Sequence, residues 1–320
     1  MRKNINTCNI EGWLYEHNLE IKQVQNQQSA NFGKDFIKGT VSVATDDAGL
    51  NVITVNYTYV APTTKAGAPN NTFNNLKRIM ETGKTVVNDG MAAATKVKLN
   101  PSIALNDFYP NGGDELVSQQ RSEGGFVSIV SNLNADEKAR KKFSADIVIN
   151  QVVRIEANPE RNIEKDYLKV RGVIFDFKNA VLPIEFIVRR DDAMQYFESL
   201  NASNANKIYT QITGEINSTT VIIEKTIESA FGGPQVEMSE RHSKEWEITW
   251  AKPIPYTYGD ENTITDADLE KAFQDRNVYL EEVKTRAKEY YANRNAQSTP
   301  AYTNIAPTPV SNISEGAFKF

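Results

Sequence analysis

Alternating apolar and polar positions mark out strands along this chain, and one strand-pair pattern occurs twice. The first copy is Asp-Phe-Ile-Lys-Gly-Thr-Val-Ser-Val at 35–43, a polar turn at 46–49, and Leu-Asn-Val-Ile-Thr-Val-Asn-Tyr at 50–57. The second is Asp-Tyr-Leu-Lys-Val-Arg-Gly-Val-Ile-Phe at 166–175, a turn at 176–179, and a β-branched strand at 181–188. Each copy pairs an aromatic and basic strand, broken by one interior glycine, with a second apolar strand. Glycine inside a strand permits a bulge or sharp bend, and small closed barrels need such bends.

What flanks each hairpin also repeats. In the first half an opening strand at 8–15 precedes a Gln/Asn/Ser-rich loop at 23–30. After the hairpin and a Pro/Gly/Thr connector at 61–71 comes a helix at 73–80. Its apolar Phe73, Leu76, Ile79 and Met80 recur at helical spacing, and Gly83 ends it. Strands follow at 95–99, from Ile103, and at 126–130. In the second half strands at 143–149 and 152–157 lead into the hairpin, Asp191 and Asp192 cap a helix at 193–200, and strands follow at 209–216, 221–223 and 245–250. Both halves therefore read strand, hairpin, helix, strand, strand, the order of an OB-fold, the five-stranded Greek-key barrel. The expected fold is mostly β: two OB-fold-like five-stranded barrels with short helices, at 1–140 and 141–260. The charged run at 136–142 marks the boundary and reads as a solvated helical turn.

A long helix is expected at 261–294. Thr265 and Asp268 form a box-like N-terminus, and Leu269, Ala272, Phe273, Arg276, Leu280, Val283 and Ala287 share a face. That face packs across the second barrel or meets a partner. Residues 295–320 have the Gln/Ser/Thr/Pro/Asn composition of a disordered tail.

Composition narrows the function. The chain has 320 residues and a net charge of −5, with 16 Lys and Arg against 15 Asp and Glu in residues 1–150 and 20 against 26 in residues 151–320. It is not a uniformly basic nucleic-acid binder, so any such interface is a local patch, and the first half is the better place for one. Cys8 is the only cysteine, which excludes an intramolecular disulfide and a cysteine-cluster zinc site. No apolar segment follows the N-terminus as a signal peptide would require, and none approaches the ~18 residues that span a bilayer. A soluble protein of the cytoplasm is expected.

Catalytic sets are missing. Gly83-Lys84-Thr85 lacks the leading glycine and the preceding strand of a P-loop. Gly-x-Ser-x-Gly does not occur. His17 and His242 are the only histidines and lie far apart, and Asp46-Asp47 is turn chemistry. No enzyme activity, cofactor or metal is expected. What remains is a binding surface. Single-stranded nucleic acid needs aromatic rings for bases to stack on and Lys or Arg along the phosphates. In the first half Trp13, Tyr15, Phe36, Lys38, Tyr57 and Tyr59 lie on the relevant strands. Lys96 and Lys98 share a strand face, and Arg121 lies in the connection that follows. In the second half the candidates are Tyr167, Lys169 and Arg171, with Phe175, Phe177, Lys178, Arg189 and Arg190 behind them.

Ile10-Glu11-Gly12-Trp13-Leu14, the repeated Asp-aromatic-aliphatic-Lys strands with their glycine, and Leu182-Pro183-Ile184-Glu185-Phe186 resemble phage-encoded single-stranded DNA-binding proteins with OB-folds. The resemblance spans roughly residues 5–255 at the level of architecture. It implies non-catalytic binding of single-stranded DNA in phage replication or recombination, in the host cytoplasm, with replication or recombination proteins met through the C-terminal helix or tail. The terminal Phe320 fits a partner-recruiting tip. The acidic pair such tips carry is missing, since Glu315 stands alone and Lys319 has the opposite charge. Two rivals fit the same composition: a structural or assembly protein such as a virion component, and a carboxylate-dependent nuclease.

Overall fold

The computed structural model describes residues 3–298 except 162, 228–230, 232, 234 and 261. Of the tail expected at 295–320, residues 295–298 are helical, continuing the last helix, and 299–320 lie outside the described residues. The chain is mostly β. Its strands are β1 (Asn6–His17), β2 (Glu20–Gln23), β3 (Asp35–Ala44), β4 (Val52–Val60), β5 (Lys96–Phe108), β6 (Val117–Ile129), β7 (Lys141–Ile155), β8 (Tyr167–Phe175), β9 (Val181–Val188), β10 (Ile208–Ile227) and β11 (Gln235–Ala251). The helices are α1 (Asn71–Thr82), α2 (Val86–Asp89), α3 (Asp191–Ser199) and α4 (Asp266–Ser298).

Strand pairing closes on itself in each half. β1 pairs with β3, β3 with β4, β4 in parallel with β6, β6 with β5, and β5 with β1. The second half repeats this as β7, β8, β9, β11, β10 and back to β7, again with one parallel pair, β9–β11. The two rings are not separate sheets. Residues 6–10 of β1 pair antiparallel with residues 141–145 of β7, so all eleven strands form one sheet. Asn6 adds a side-chain bridge: its amide donates to the carbonyls of Ile103 (3.0 Å) and Phe175 (3.1 Å), one in each half, and its oxygen accepts the Ile103 N–H at 2.8 Å.

Alternation builds the core. Cys8, Ile10 and Leu14 of β1, Val41 and Val43 of β3, and Val97 and Leu99 of β5 point inward and are buried. They belong to one apolar cluster that continues into the second half through Phe143, Phe186 and Trp246. Each fully buried Leu, Ile or Phe contributes about 1.5–3 kcal/mol. Burial pushes the Cys8 thiol up to about 12. The helix predicted at 73–80 is α1, capped one turn earlier by Asn70, whose oxygen accepts the Thr72 N–H at 3.1 Å. It buries Phe73, Leu76 and Ile79 into the first ring, as α3 buries Met194 and Phe197 into the second. The sequence expectation missed β2 and α2.

The charged run at 136–142 is not simply solvated. Residues 137–140 form a 3₁₀ turn, and Arg140 is buried, with its guanidinium 2.7 Å from the Asp47 carboxylate.

Helix α4 does more than cover the second ring. Thr265 and Asp268 form the expected box, with reciprocal bonds of 3.0 and 3.2 Å. Ile264 and Leu269 then pack on Val173, Phe175 and Tyr209 of the second ring. Further along, Arg276 donates to Asp107 at 2.9 Å, and Lys284 and Lys288 reach Asp114 at 2.8 and 3.1 Å. Asp107 and Asp114 belong to the β5–β6 hairpin of the first ring, so α4 ties the two halves together. The Arg276–Asp107 pair is shielded, at 9% and 2% side-chain exposure. Arg276→Met strands a buried carboxylate, and the expected cost is about 3–5 kcal/mol in urea or thermal unfolding. A loss no larger than that of an exposed ion pair would show that α4 does not hold the halves.

Candidate nucleic-acid interface

In the first ring, Ile37 of β3 points inward and its neighbours Phe36 and Lys38 turn outward. Opposite them β4 carries a bulge. Ile37 pairs with Val60 and Gly39 with Tyr57, so two residues, Thr58 and Tyr59, face the single Lys38. Gly39 makes the bulge possible. Its φ is +131°, and a Cβ there would lie 2.5 Å from the Asn18 carbonyl oxygen. The extra residue reverses the inside-out alternation. Tyr57, before the bulge, keeps step with Ile53 and Val55 and is buried, at 2% exposure, while Tyr59, inside the bulge, comes out to the surface. The Tyr59 and Phe36 rings lie 4.8 Å apart at 31°, a small tilted stack on the outer wall.

Lysines flank that stack. β2 pairs with β3 so that Lys22 lies opposite Phe36 and Glu20 opposite Lys38. Glu20 accepts both ammonium groups, Lys22 at 3.1 Å and Lys38 at 3.3 Å. The hydrogen bond from Lys22 is the larger cause holding its carboxyl below the usual range. One carboxylate shared by two ammonium groups leaves one net positive charge beside two aromatic rings. Phe32, half exposed, projects from the adjoining loop.

A second predicted group gathers on the wall formed by β1 and β5. Glu11 lies opposite Lys98 and Trp13 opposite Lys96, while Tyr15 sits half-buried at a bulge of β1. The exposed Phe126 of β6 lies opposite Asn100 on the same wall. This wall is already occupied. The connection between the rings crosses it: Asn134 donates its N–H to Glu11, Lys96 donates to the Ser131 carbonyl at 3.4 Å, and the Arg140 guanidinium lies 5.2 Å from the Trp13 ring centre. One face of Trp13 is thus taken by Arg140. Lys98 lies 3.9 Å from Glu11. Arg121 is held away from both groups, pinned by Glu123 at 2.6 Å and Asn106 at 2.9 Å.

In the second ring Tyr167, Lys169 and Arg171 point outward from β8, between the buried Leu168 and Val170. Every cation here has a carboxylate. Lys169 and Arg171 share Glu185, each at 2.7 Å. Arg189 lies over Tyr167 at 5.7 Å and binds Glu245 at 2.9 Å, and Arg154 binds Asp166 and Glu198. With Glu247 beside Arg189, five carboxylates face four cations. This face carries no positive excess.

These candidates thus fall into three groups, of which the Phe36–Lys38 group is the open, positive one; Phe177 and Lys178 lie outside them on the β8–β9 turn, the Lys178 ammonium 5.4 Å from the exposed Phe177 ring. Tyr57 and Phe175 are corrected to core residues. The sequence reading missed Lys22 and Phe126. Lys22 lies on a four-residue edge strand, too short to show alternation, and Phe126 stood in a recognised strand without any sign of which face it would take.

These features define a mostly β chain whose strands pair in two joined rings, with aromatic and basic side chains on the outer walls. The chain belongs to the YorF family, whose profile matches residues 4–286. No curated protein sequence matches it. Among solved structures it is similar to the single-stranded DNA-binding protein from Thermus aquaticus, with a TM-score of 0.45, 8% identity, and coverage of 82% of this chain and 98% of that one. A deletion variant of the same protein gives a TM-score of 0.47 and 8% identity, covering 82% of this chain and 100% of that one. A replication protein A heterotrimer bound to single-stranded DNA gives a TM-score of 0.21 and 9% identity over 90% of this chain and 70% of that one. At these scores the likeness carries no functional weight.

The buried Tyr57 hydroxyl has no hydrogen-bond partner among the described residues, and burial pushes its phenol up from the ordinary range. Tyr57→Phe removes an unsatisfied polar atom and is expected to leave stability within about 1 kcal/mol of the native chain or above it. Tyr57→Ala empties part of the core and costs about 3–5 kcal/mol. Thermal unfolding of the two variants measures both.

Proposed function

We propose that this chain binds single-stranded DNA without catalysis, chiefly on the outer wall of the first ring around Phe36, Tyr59, Lys22 and Lys38. The observation that carries the reading is the Phe36–Tyr59 ring pair, Tyr59 exposed and Phe36 half-buried, flanked by two lysines that share one carboxylate. Flat rings stack on bases whose faces are free, which a duplex hides, and ammonium groups beside them neutralise the phosphates. Lys96, Lys98 and the open face of Trp13, with Tyr15 beside them, form a second, weaker contact. The face of Tyr167, Lys169 and Arg171 contributes little, because its cations already have carboxylates. Each ring is read as an OB-fold-like barrel, at 1–140 and 141–260, followed by the helix and tail. A role in phage DNA replication or recombination, and a place in the host cytoplasm, rest on the sequence resemblance alone. The balanced face of the second ring suits contact with protein and keeps a structural or assembly role as the second reading.

The test is fluorescence anisotropy with a labelled single strand of about 30 nucleotides, long enough for two rings at roughly 4–16 nucleotides each. Duplex DNA and RNA of the same length are compared with it at two salt concentrations. Preference for the single strand and affinity that falls with salt are expected. Phe36→Ala or Tyr59→Ala is expected to lose about 1–3 kcal/mol of binding. Lys22→Gln with Lys38→Gln is expected to flatten the salt dependence by roughly 0.7 for each phosphate no longer neutralised. Equal affinity for duplex and single strand, or unchanged binding by all three variants, rejects this interface. No binding at low salt favours the structural reading.

A further inference from the structure

The β5–β6 hairpin reaches beyond the first ring. Its inner side carries Leu105 opposite Gln120, and Asp107 opposite Ser118. Asp107 is bound to α4, as described above. Next to that anchor the hairpin meets the outer face of the second ring, and the two do not close on each other. They leave a cleft of about 440 Å³, within the usual range of small-molecule sites, about 300–1,000 Å³. One side is Leu105 and Gln120 from the first ring. The other is Gln151, Arg171, Pro183 and Glu185 from the second.

The chemistry of the lining is specific. Leu105 and Pro183 offer apolar surface for the faces of a flat ring. Around them, beside Asn150 and Ser118, stand two glutamine amides, a guanidinium and a carboxylate, which both donate and accept hydrogen bonds. Three of the polar groups are held in place. Arg171 binds Glu185 at 2.7 Å and Gln151 at 3.3 Å. The fourth is unsatisfied: the Gln120 amide nitrogen is buried and has no hydrogen-bond partner among the described residues. As it stands that nitrogen is closed off from the cleft, and a turn of the Gln120 side chain toward a ligand acceptor breaks no hydrogen bond of its own. The cleft also adjoins the proposed interface. β4 pairs in parallel with β6, and the Thr58 hydroxyl, beside Tyr59, donates to Glu123 at 3.2 Å, three residues along β6 from Gln120.

We propose that this cleft between the rings takes one nucleobase of the bound strand, turned out of the stack and met at its edge by Gln120, Gln151 and Arg171. The proposal rests on the single-strand reading above and adds Gln120 and Gln151 to it, with Arg171, whose charge Glu185 cancels, serving as a hydrogen-bond donor to a base and not as a phosphate's cation. Base edges carry both donors and acceptors, which matches the mixed lining. A bare phosphate does not, because Glu185 lies in the way. A base held here fixes the strand where it passes from the first ring to the second.

The experiment uses the full chain and two labelled probes of equal length, a normal single strand of about 30 nucleotides and the same strand with abasic sites throughout. Gln120→Leu keeps the volume and removes the donor. Its affinity for the normal strand is expected to fall about five- to tenfold, with the abasic strand unaffected. The salt slope is expected to stay the same, since every phosphate keeps its cation. Gln151→Ala, on the exposed rim, is expected to act in the same direction, and thermal unfolding of both variants separates binding from folding. If the native chain binds the normal strand and both variants match it, the base site is overturned and the outer-wall reading stands. If both variants lose equally on the two probes, base capture is likewise overturned. If the native chain binds neither strand at low salt, the single-strand reading fails and the base site fails with it.

Discussion

The molecule is organised by a single strand that has to satisfy three partners. Along twelve residues β1 pairs first with β7, then with β5, then with β3. A backbone buried in a sheet needs each of its N–H and C=O groups bonded. β1 meets that demand only if both rings are present and correctly placed. The Asn6 amide, bonded to backbone on both sides of the junction, sets the same condition through a side chain. The core follows suit, running without a break from Leu14 to Trp246. The outer walls of the two halves therefore keep a fixed relation to each other, which a flexible linker would not give them.

On those walls the number of cations decides little, and their partners decide most. The second ring has more arginines on its strand face than the first, but Glu185, Glu245, Asp166 and Glu198 cancel them. Exposed pairs of this kind add little stability, in the range of about 0–1 kcal/mol each. Their larger effect is to remove the positive potential that would draw in a polyanion. The first ring reaches the opposite result with fewer charges, because Lys22 and Lys38 share Glu20.

Much of this was legible in the sequence. The two hairpins, α1, α3 and the Thr265–Asp268 box follow from local periodicity and capping, which do not depend on the rest of the chain. Tyr57 falls in step with Ile53 and Val55, so alternation alone assigns it to the core, and reading it as a binding residue ignored that step. The bulge acts only beyond it: nothing in Tyr-Thr-Tyr-Val says that the alternation slips there, and Tyr59, on the same parity, reaches the surface because it does. Pro101 lies between the strands read at 95–99 and from Ile103. It reads as a break between two strands, because proline cannot donate to a ladder. In the folded chain β5 runs straight through it, and Gly124 and Gly125 on β6 take up the extra residue opposite, with φ of +65° and +79°. Arg140 is a different case. A charged run usually faces water, and only the meeting of Asp47 and Trp13 in space explains why one of its members is buried.

The pairing of residues 6–10 with residues 141–145 also has a consequence for synthesis. The first segment leaves the ribosome more than a hundred residues before its partner. During that interval the growing chain carries an unsatisfied strand margin, the kind of surface on which neighbouring chains pair wrongly. Translation speed across the first half therefore bears on how much of the protein is recovered folded.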